Sequence, residues 1–245
     1  MKPANRSAWW RGLRQATALL AVCALALQLV WVARIAMMAV IDPQSTTFQR
    51  SEIWRLLTEK GLVAWGQQWV DSAQISPQLK RAVIASEDTG FTEHHGVEWD
   101  ALENAWARNQ RAQARASNAK RPPKLVGGST ISQQLAKNLF LSGERTLPRK
   151  AQEFALTLTL EMLLPKQRLL EIYLNNVEFG EGLFGVQAAS QYYFRRDAAK
   201  LDANAAARLA VLLPAPKRFE RQFGSGALQG RAATVAARMA AVDVP

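Results

Sequence analysis

Cysteine, acidic residues and strand-like patterning are all scarce in this chain. Its 245 residues include one cysteine, Cys23. A single thiol closes no disulfide within the chain and supplies no thiolate set for a metal. Aspartate and glutamate number 20 against 31 lysines and arginines, a net charge of +11, and no acid occurs before Asp42. Alternation of apolar and polar residues never runs to a useful length, so a strand-rich domain is excluded. There is no zinc-ligand spacing, no aromatic RNA-binding signature and no helix-turn-helix pattern. The positive charge therefore points to anionic lipid or a phosphorylated substrate, not to nucleic acid. No residue set specifies a divalent cation.

What is present begins with an apolar run. Residues 16–33 carry no charge and are long enough to span a bilayer. Lys2, Arg6, Arg11 and Arg14 precede them, and the positive-inside rule then predicts a cytoplasmic N-terminus with the rest outside. Trp9, Trp10 and Trp31 suit the two interfaces, and Arg34 can snorkel at the outer end. A cleaved signal peptide is the rival. The run exceeds a usual signal core, and no clear small-x-small site followed by a polar start is visible, so a retained anchor is expected. The predicted organisation is a basic N-terminus (1–15), a membrane span (16–41), a helical lead-in (42–75), a main domain (76–225) and a helical tail (226–245). This length suits one ordinary domain plus an extra element.

The soluble part reads as mostly α. Ile53, Leu56 and Leu57 fit one helical face in the lead-in. Pro77 sits at a helix start, where a missing N–H costs little. Residues 98–108 predict a helix with Trp99, Leu102 and Trp106 on one face. Residues 107–123 are basic, polar and closed by Pro122 and Pro123, and read as a loop. Further helices are predicted over 149–164, 166–174, 187–194 and 203–213, with a glycine-rich turn at 175–185. The tail helix places Arg231 and Arg238 seven residues apart, and no chemistry is assigned to them.

Three segments carry candidate chemistry. Gly127 and Gly128 lead into Ser129 and Thr130, either of which can cap a following helix. On that helix Gln133, Gln134, Lys137 and Asn138 form a polar stripe, while Leu135, Leu139 and Leu141 are left for the core. Such a stripe suits phosphate and sugar oxygens; the plainer reading is a loop, a cap and a solvated face. Glu87 and Asp88 follow the apolar turn Ala82–Ala85. Adjacent acids there are unusual, and a carboxyl against apolar walls gains a raised pKa suited to proton transfer; the alternative is a solvated turn. Arg149 and Glu153 share a helix face near Arg145 and Lys150. Compact cations of this kind bind phosphates, although a surface ion pair of little value is the alternative.

Taken together, these segments resemble a known family. Glu87-Asp88-x-x-Phe91-x-x-His94-x-Gly96, Gly127-Gly128-Ser129-Thr130 through Asn138, and Arg149-Lys150-x-x-Glu153 are similar to the first three motifs of the peptidoglycan glycosyltransferases. Lys166-x-x-Leu169-Leu170-Glu171-Ile172-Tyr173-Leu174-Asn175 resembles the fourth. Ala188-Ala189-x-x-Tyr192-Tyr193-Phe194 with Leu212-Leu213-Pro214-x-Pro216 resembles the fifth. The likeness covers about residues 70–220 and is strongest to the monofunctional, biosynthetic branch. The segment between the first two motifs looks longer than usual for the family.

The resemblance implies a lysozyme-like glycosyltransferase domain behind one N-terminal transmembrane helix. It implies polymerisation of lipid II on a growing glycan strand, with inversion and release of undecaprenyl pyrophosphate. By motif position Glu87 is the expected base, and Glu153 organises Arg149 or a divalent ion and helps the leaving group depart. Lys137, Arg145, Arg149 and Lys150 are expected at the pyrophosphate, and Thr130, Gln134 and Asn138 at sugar and phosphate oxygens. Asp88, Phe91 and His94 are expected to shape the first loop. A divalent cation, Mg or Mn, is compatible but not required. The expected partners are the membrane, lipid II and the glycan, with proteins of cell-wall synthesis or division beside them. The bacterial inner membrane is the expected location, with the catalytic domain on its outer face. Two rivals are a lysozyme-like lytic enzyme and a non-catalytic envelope scaffold; neither calls for the cationic segments beside the acids. No transpeptidase domain is expected after the fifth motif.

Overall fold

A computed structural model describes residues 6–61, 63–115, 128–141, 143–144 and 146–245. The chain divides into two units, residues 1–41 and 42–245. The first is one helix, α1 (Arg6–Met37). Its stretch from Trp9 to Met37 is long and apolar enough to cross a membrane.

The second unit is mostly helical: α2 (Thr47–Lys60), α3 (Pro77–Glu87), α4 (Trp99–Arg115), α5 (Ile131–Phe140), α6 (Leu147–Leu163), α7 (Lys166–Asn176), α8 (Val186–Phe194), α9 (Ala203–Ala210), α10 (Pro216–Phe219) and α11 (Gly226–Arg238). Three short strands, β1 (Gly66–Gln67), β2 (Glu178–Gly180) and β3 (Leu183–Phe184), form a sheet in the order β1-β3-β2. β2 and β3 pair antiparallel across the glycine-rich turn, and β1 runs parallel to β3.

Helix starts follow local chemistry. Ser76 caps α3 with Pro77 in the first turn. Thr130 and Gln133 form a reciprocal capping box on α5. Thr146 caps α6 with Pro148 in the first turn. Each cap satisfies backbone N–H groups that have no partner inside the helix. Pro165 separates α6 from α7.

α5 is the hub. It packs on α2, α6 and α7 and buries Ile131, Leu135, Ala136, Leu139 and Phe140. Burying a side chain of this size contributes about 1.5–3 kcal/mol. A second layer is made by α3, α9 and α11. The lead-in joins the hub through polar contacts. The Thr47 hydroxyl donates to Leu139 O at 3.0 Å, and Asn175 grips Val70 through both its N–H and its C=O at 2.9 Å.

Two expectations are corrected. Residues 107–115 continue α4 and are not loop; residues 116–127 lie outside the described residues. The buried face of α2 is Gln49, Glu52 and Leu56, while Leu57 is exposed. Polar groups went inward there because each found a partner: Gln49 caps Thr46, and Glu52 binds Arg55 and Lys217. On α4, Trp99, Leu102 and Trp106 share a face as expected, and that face is exposed.

Candidate active site

The site begins where α3 ends. Leu79, Ala82, Val83, Ile84 and Ala85 bury the helix and carry Glu87 to its last turn. Asp88 then leaves helical geometry at φ −164°, and the two neighbouring acids diverge. Asp88 turns inward and is 4% exposed. One of its oxygens meets His94 Nε2 at 2.8 Å; the other accepts the N–H of Ile131 at 2.9 Å. That N–H is an orphan donor in the first turn of α5, where a carboxylate is favoured. The Gly96 N–H donates to His94 Nδ1 at 3.0 Å, which leaves Nε2 as the donor to Asp88. The Thr130 hydroxyl donates to Gly96 O at 2.6 Å. Asp88, His94, Gly96 and Thr130 thus tie the loop after α3 to the start of α5. Phe91 is fully buried in that loop, with Lys166 Nζ 4.5 Å from its ring centre.

Glu87 stays at a cleft of about 330 Å³, which Gly128, Ser129 and Thr130 also line. Its oxygens accept from Ser86 Oγ at 3.2 Å and Gln134 Nε2 at 3.0 Å. Loss of hydration pushes its carboxyl above the usual carboxylate range, and nearby Asp88 adds to this. The Gln134 and Ser86 hydrogen bonds and the positive field of Arg231 act in the opposite direction. The result is a base of increased strength at the mouth of a cavity.

A second cluster lies on α6. Glu153 is 3% exposed and binds Arg149 Nη1 at 2.9 Å and Lys150 Nζ at 2.5 Å. A carboxylate buried this deeply requires such partners. Arg149 Nε is buried without a hydrogen-bond partner, so the guanidinium retains donor capacity. Both oxygens of Glu153 are held by cations, and among the described residues no three His, Cys, Asp or Glu side chains cluster as a metal set.

The polar stripe of α5 divides. Gln133 caps the helix and is buried. Thr130 is committed to the cap and to Gly96. Asn138 is buried, Gln134 reaches Glu87, and Lys137 is exposed. Gly127 and Arg145 lie outside the described residues.

Several residues were missed by reasoning from the sequence. Tyr173 is fully buried, and its hydroxyl donates to Gln134 Oε1 at 2.9 Å. Among Leu169, Leu170, Ile172 and Leu174 it reads only as core. Glu98, Arg108 and Arg238 line the cleft, and no local pattern marks them, because Glu98 stands just before α4, Arg108 midway along it and Arg238 at the end of α11.

Residues 57–240 match the family model for the transglycosylase domain. A Burkholderia thailandensis protein named biosynthetic peptidoglycan transglycosylase is 50% identical over 221 residues, 90% of this chain and 83% of that protein. A Bordetella pertussis protein of the same name is 44% identical over 245 residues, 100% and 99% of the two chains. One from Paraburkholderia phytofirmans is 46% identical over 229 residues, 93% and 91%.

Proposed function

The chain belongs to the transglycosylase family, and from that premise we propose that this peptidoglycan glycosyltransferase polymerises lipid II into β-1,4-linked glycan, inverting the donor's anomeric centre and releasing undecaprenyl pyrophosphate. The observation that carries the reading is Glu87: a carboxyl of raised pKa, held by Ser86 and Gln134 at the mouth of a cleft.

In the proposed step Glu87 takes the proton of the acceptor's 4-hydroxyl. The freed oxygen bonds to the donor's anomeric carbon, and the bond from that carbon to the pyrophosphate oxygen breaks. Charge grows on the departing pyrophosphate. Arg149 and Lys150, set by Glu153, together with Lys137 and Arg145, are the cations assigned to it. Fixed donors at a developing anion are worth roughly 3–4 kcal/mol each. Gln134 holds the base, and Asn138 and Thr130 border the path of the sugar. Asp88, Phe91 and His94 hold the loop that presents the base.

A lipid-linked substrate accords with two apolar features. One is the membrane-length helix α1. The other is an exposed stripe, Phe154, Leu158 and Met162 at four-residue spacing on α6, beside Trp99 of α4 with ring centres 6.2 Å apart. Exposed apolar patches of this kind mark interaction surfaces. We place the chain in the bacterial inner membrane with its N-terminus cytoplasmic, from Lys2, Arg6, Arg11 and Arg14 before the uncharged run of residues 16–33.

The test is polymerisation of fluorescent lipid II by the purified protein in detergent, beside Glu87→Gln. Long glycan from wild type with a loss of about a hundredfold or more in the variant is expected for a general base. No polymer from folded wild type would overturn the reading, and polymer from both would remove Glu87 as the base.

A further inference from the structure

Two cations beside the cleft have no part in the step above. Arg231 and Arg238 stand seven residues apart on α11, about two turns, so they share a face. They border a cavity of about 220 Å³ between α11 and the end of α3, walled also by Ser86, Val211, Pro214 and Thr234. Ser86 and Arg238 line the Glu87 cleft as well, so the two spaces adjoin at the residue next to the base.

The charged residues lining this cavity are both cations, while Glu87, Asp88 and Glu98 line the cleft that adjoins it. Arg55, Arg149, Arg168 and Arg196 all carry carboxylate partners. Among the described residues Arg231 and Arg238 have none, and no carboxylate lines the cavity. Arg231 lies over the Phe219 ring at 5.1 Å, a contact that restrains its guanidinium. Guanidinium pairs match the two oxygens of a carboxylate. Ser86 and Thr234 add hydroxyls, while Ala85, Val211, Pro214 and Val235 add apolar wall. A bare phosphate has no use for that wall; a short acidic peptide does. Under the proposed function, moreover, the pyrophosphate already has its cations on α5 and α6.

We propose that Arg231 and Arg238, with Ser86 and Thr234, form a subsite for a carboxylate of the peptide carried on the substrate's disaccharide. The subsite rests on the lipid II reading and extends it from the sugars to the stem peptide. It selects for peptide charge on the acceptor side, next to the base.

The experiment uses the full chain in detergent and two forms of lipid II, one with free peptide carboxylates and one with those carboxylates amidated. Values of kcat and KM are measured for wild type, for Arg231→Gln with Arg238→Gln, and for Arg231→Lys with Arg238→Lys. Because Arg231 also acts on Glu87, the decisive quantity is the ratio between the two substrates, in which a change in the base cancels. The expected result is a roughly tenfold loss of kcat/KM on the acidic form in the glutamine pair, carried by KM. The loss on the amidated form should be at least fivefold smaller than on the acidic form, and the lysine pair should recover part of that difference. Equal losses on both forms, or no loss on either, would overturn the subsite while leaving the polymerase reading intact. No polymer from wild type on either form would overturn both.

Discussion

The hydroxyl of Tyr173 donates to Gln134 Oε1 at 2.9 Å, and this contact turns the amide so that its nitrogen faces Glu87. A glutamine amide has two ends of similar shape and opposite polarity. A buried phenol at one end selects the other for the base. Tyr173 therefore acts through Gln134 as a positioning residue. Its own ionisation is pushed far upward by burial and by the nearby acids Glu87 and Asp88, so it remains a donor.

Tyr173→Phe should keep the packing and lose the orientation. The expected effect is a several-fold fall in kcat, about 1 kcal/mol for a lost hydrogen bond, with KM little changed. Because the Gln134 bond lowers the pKa of Glu87, weakening it moves that pKa further up. The acidic limb of the kcat–pH profile should then shift to higher pH, more so in Gln134→Leu than in Tyr173→Phe. Unshifted limbs in both variants would remove the positioning role.

Glu178 sets a second pH dependence, one of stability. Burial pushes its carboxyl from 4.5 up to about 8; Lys217 opposes the shift and Glu52 adds to it. Lys217 Nζ stands 3.6 Å away, too far for a hydrogen bond. The folded state holds this proton more tightly than the unfolded chain does. The contribution is complete below about 4.5 and is lost as pH rises through about 8. Thermal unfolding of wild type should fall across that window by an amount worth on the order of a few kcal/mol. Glu178→Gln should flatten the decline, and a decline of wild-type size in the variant would assign it elsewhere.

Gly96→Ala should be costly, because Gly96 is buried. Gly96 sits at φ +91°, and an added Cβ would lie 2.8 Å from Thr157 Cγ2. Its N–H and C=O are both committed, to His94 and Thr130. Strain of this kind costs roughly 1–3 kcal/mol, and the backbone has no slack to relieve it. Differential scanning should find Tm several degrees lower, with activity falling further than stability alone explains because the loop carrying Glu87 is displaced. An unchanged Tm would show that the loop can shift.

Much of this architecture is legible in local sequence because its causes are local. The uncharged run near the N-terminus, the Ser76–Pro77 and Thr130 helix starts and the stop at Pro165 each depend on residues within a turn or two. Backbone donors and helix periodicity act over that range. The resemblance ranked Glu87 above Asp88, but nothing within the pair separates them. They separate only because the chain leaves the helix at Asp88 and brings that side chain to the start of α5, 43 residues later. The polar stripe of α5 was read as a grip on phosphate and sugar oxygens, but two of its members, Gln133 and Asn138, are buried, and Gln133 is spent on the cap with Thr130. Tyr173 and Arg231 carry no local mark at all. Their meaning comes from contacts that join α7 to α5 and α11 to α3, and such contacts exist only once the apolar faces have chosen their partners. Local chemistry therefore determined where the helices begin and which segment can enter a membrane. Tertiary packing decided which polar groups lost water, and with them which carboxyl was left at the cleft with a raised pKa.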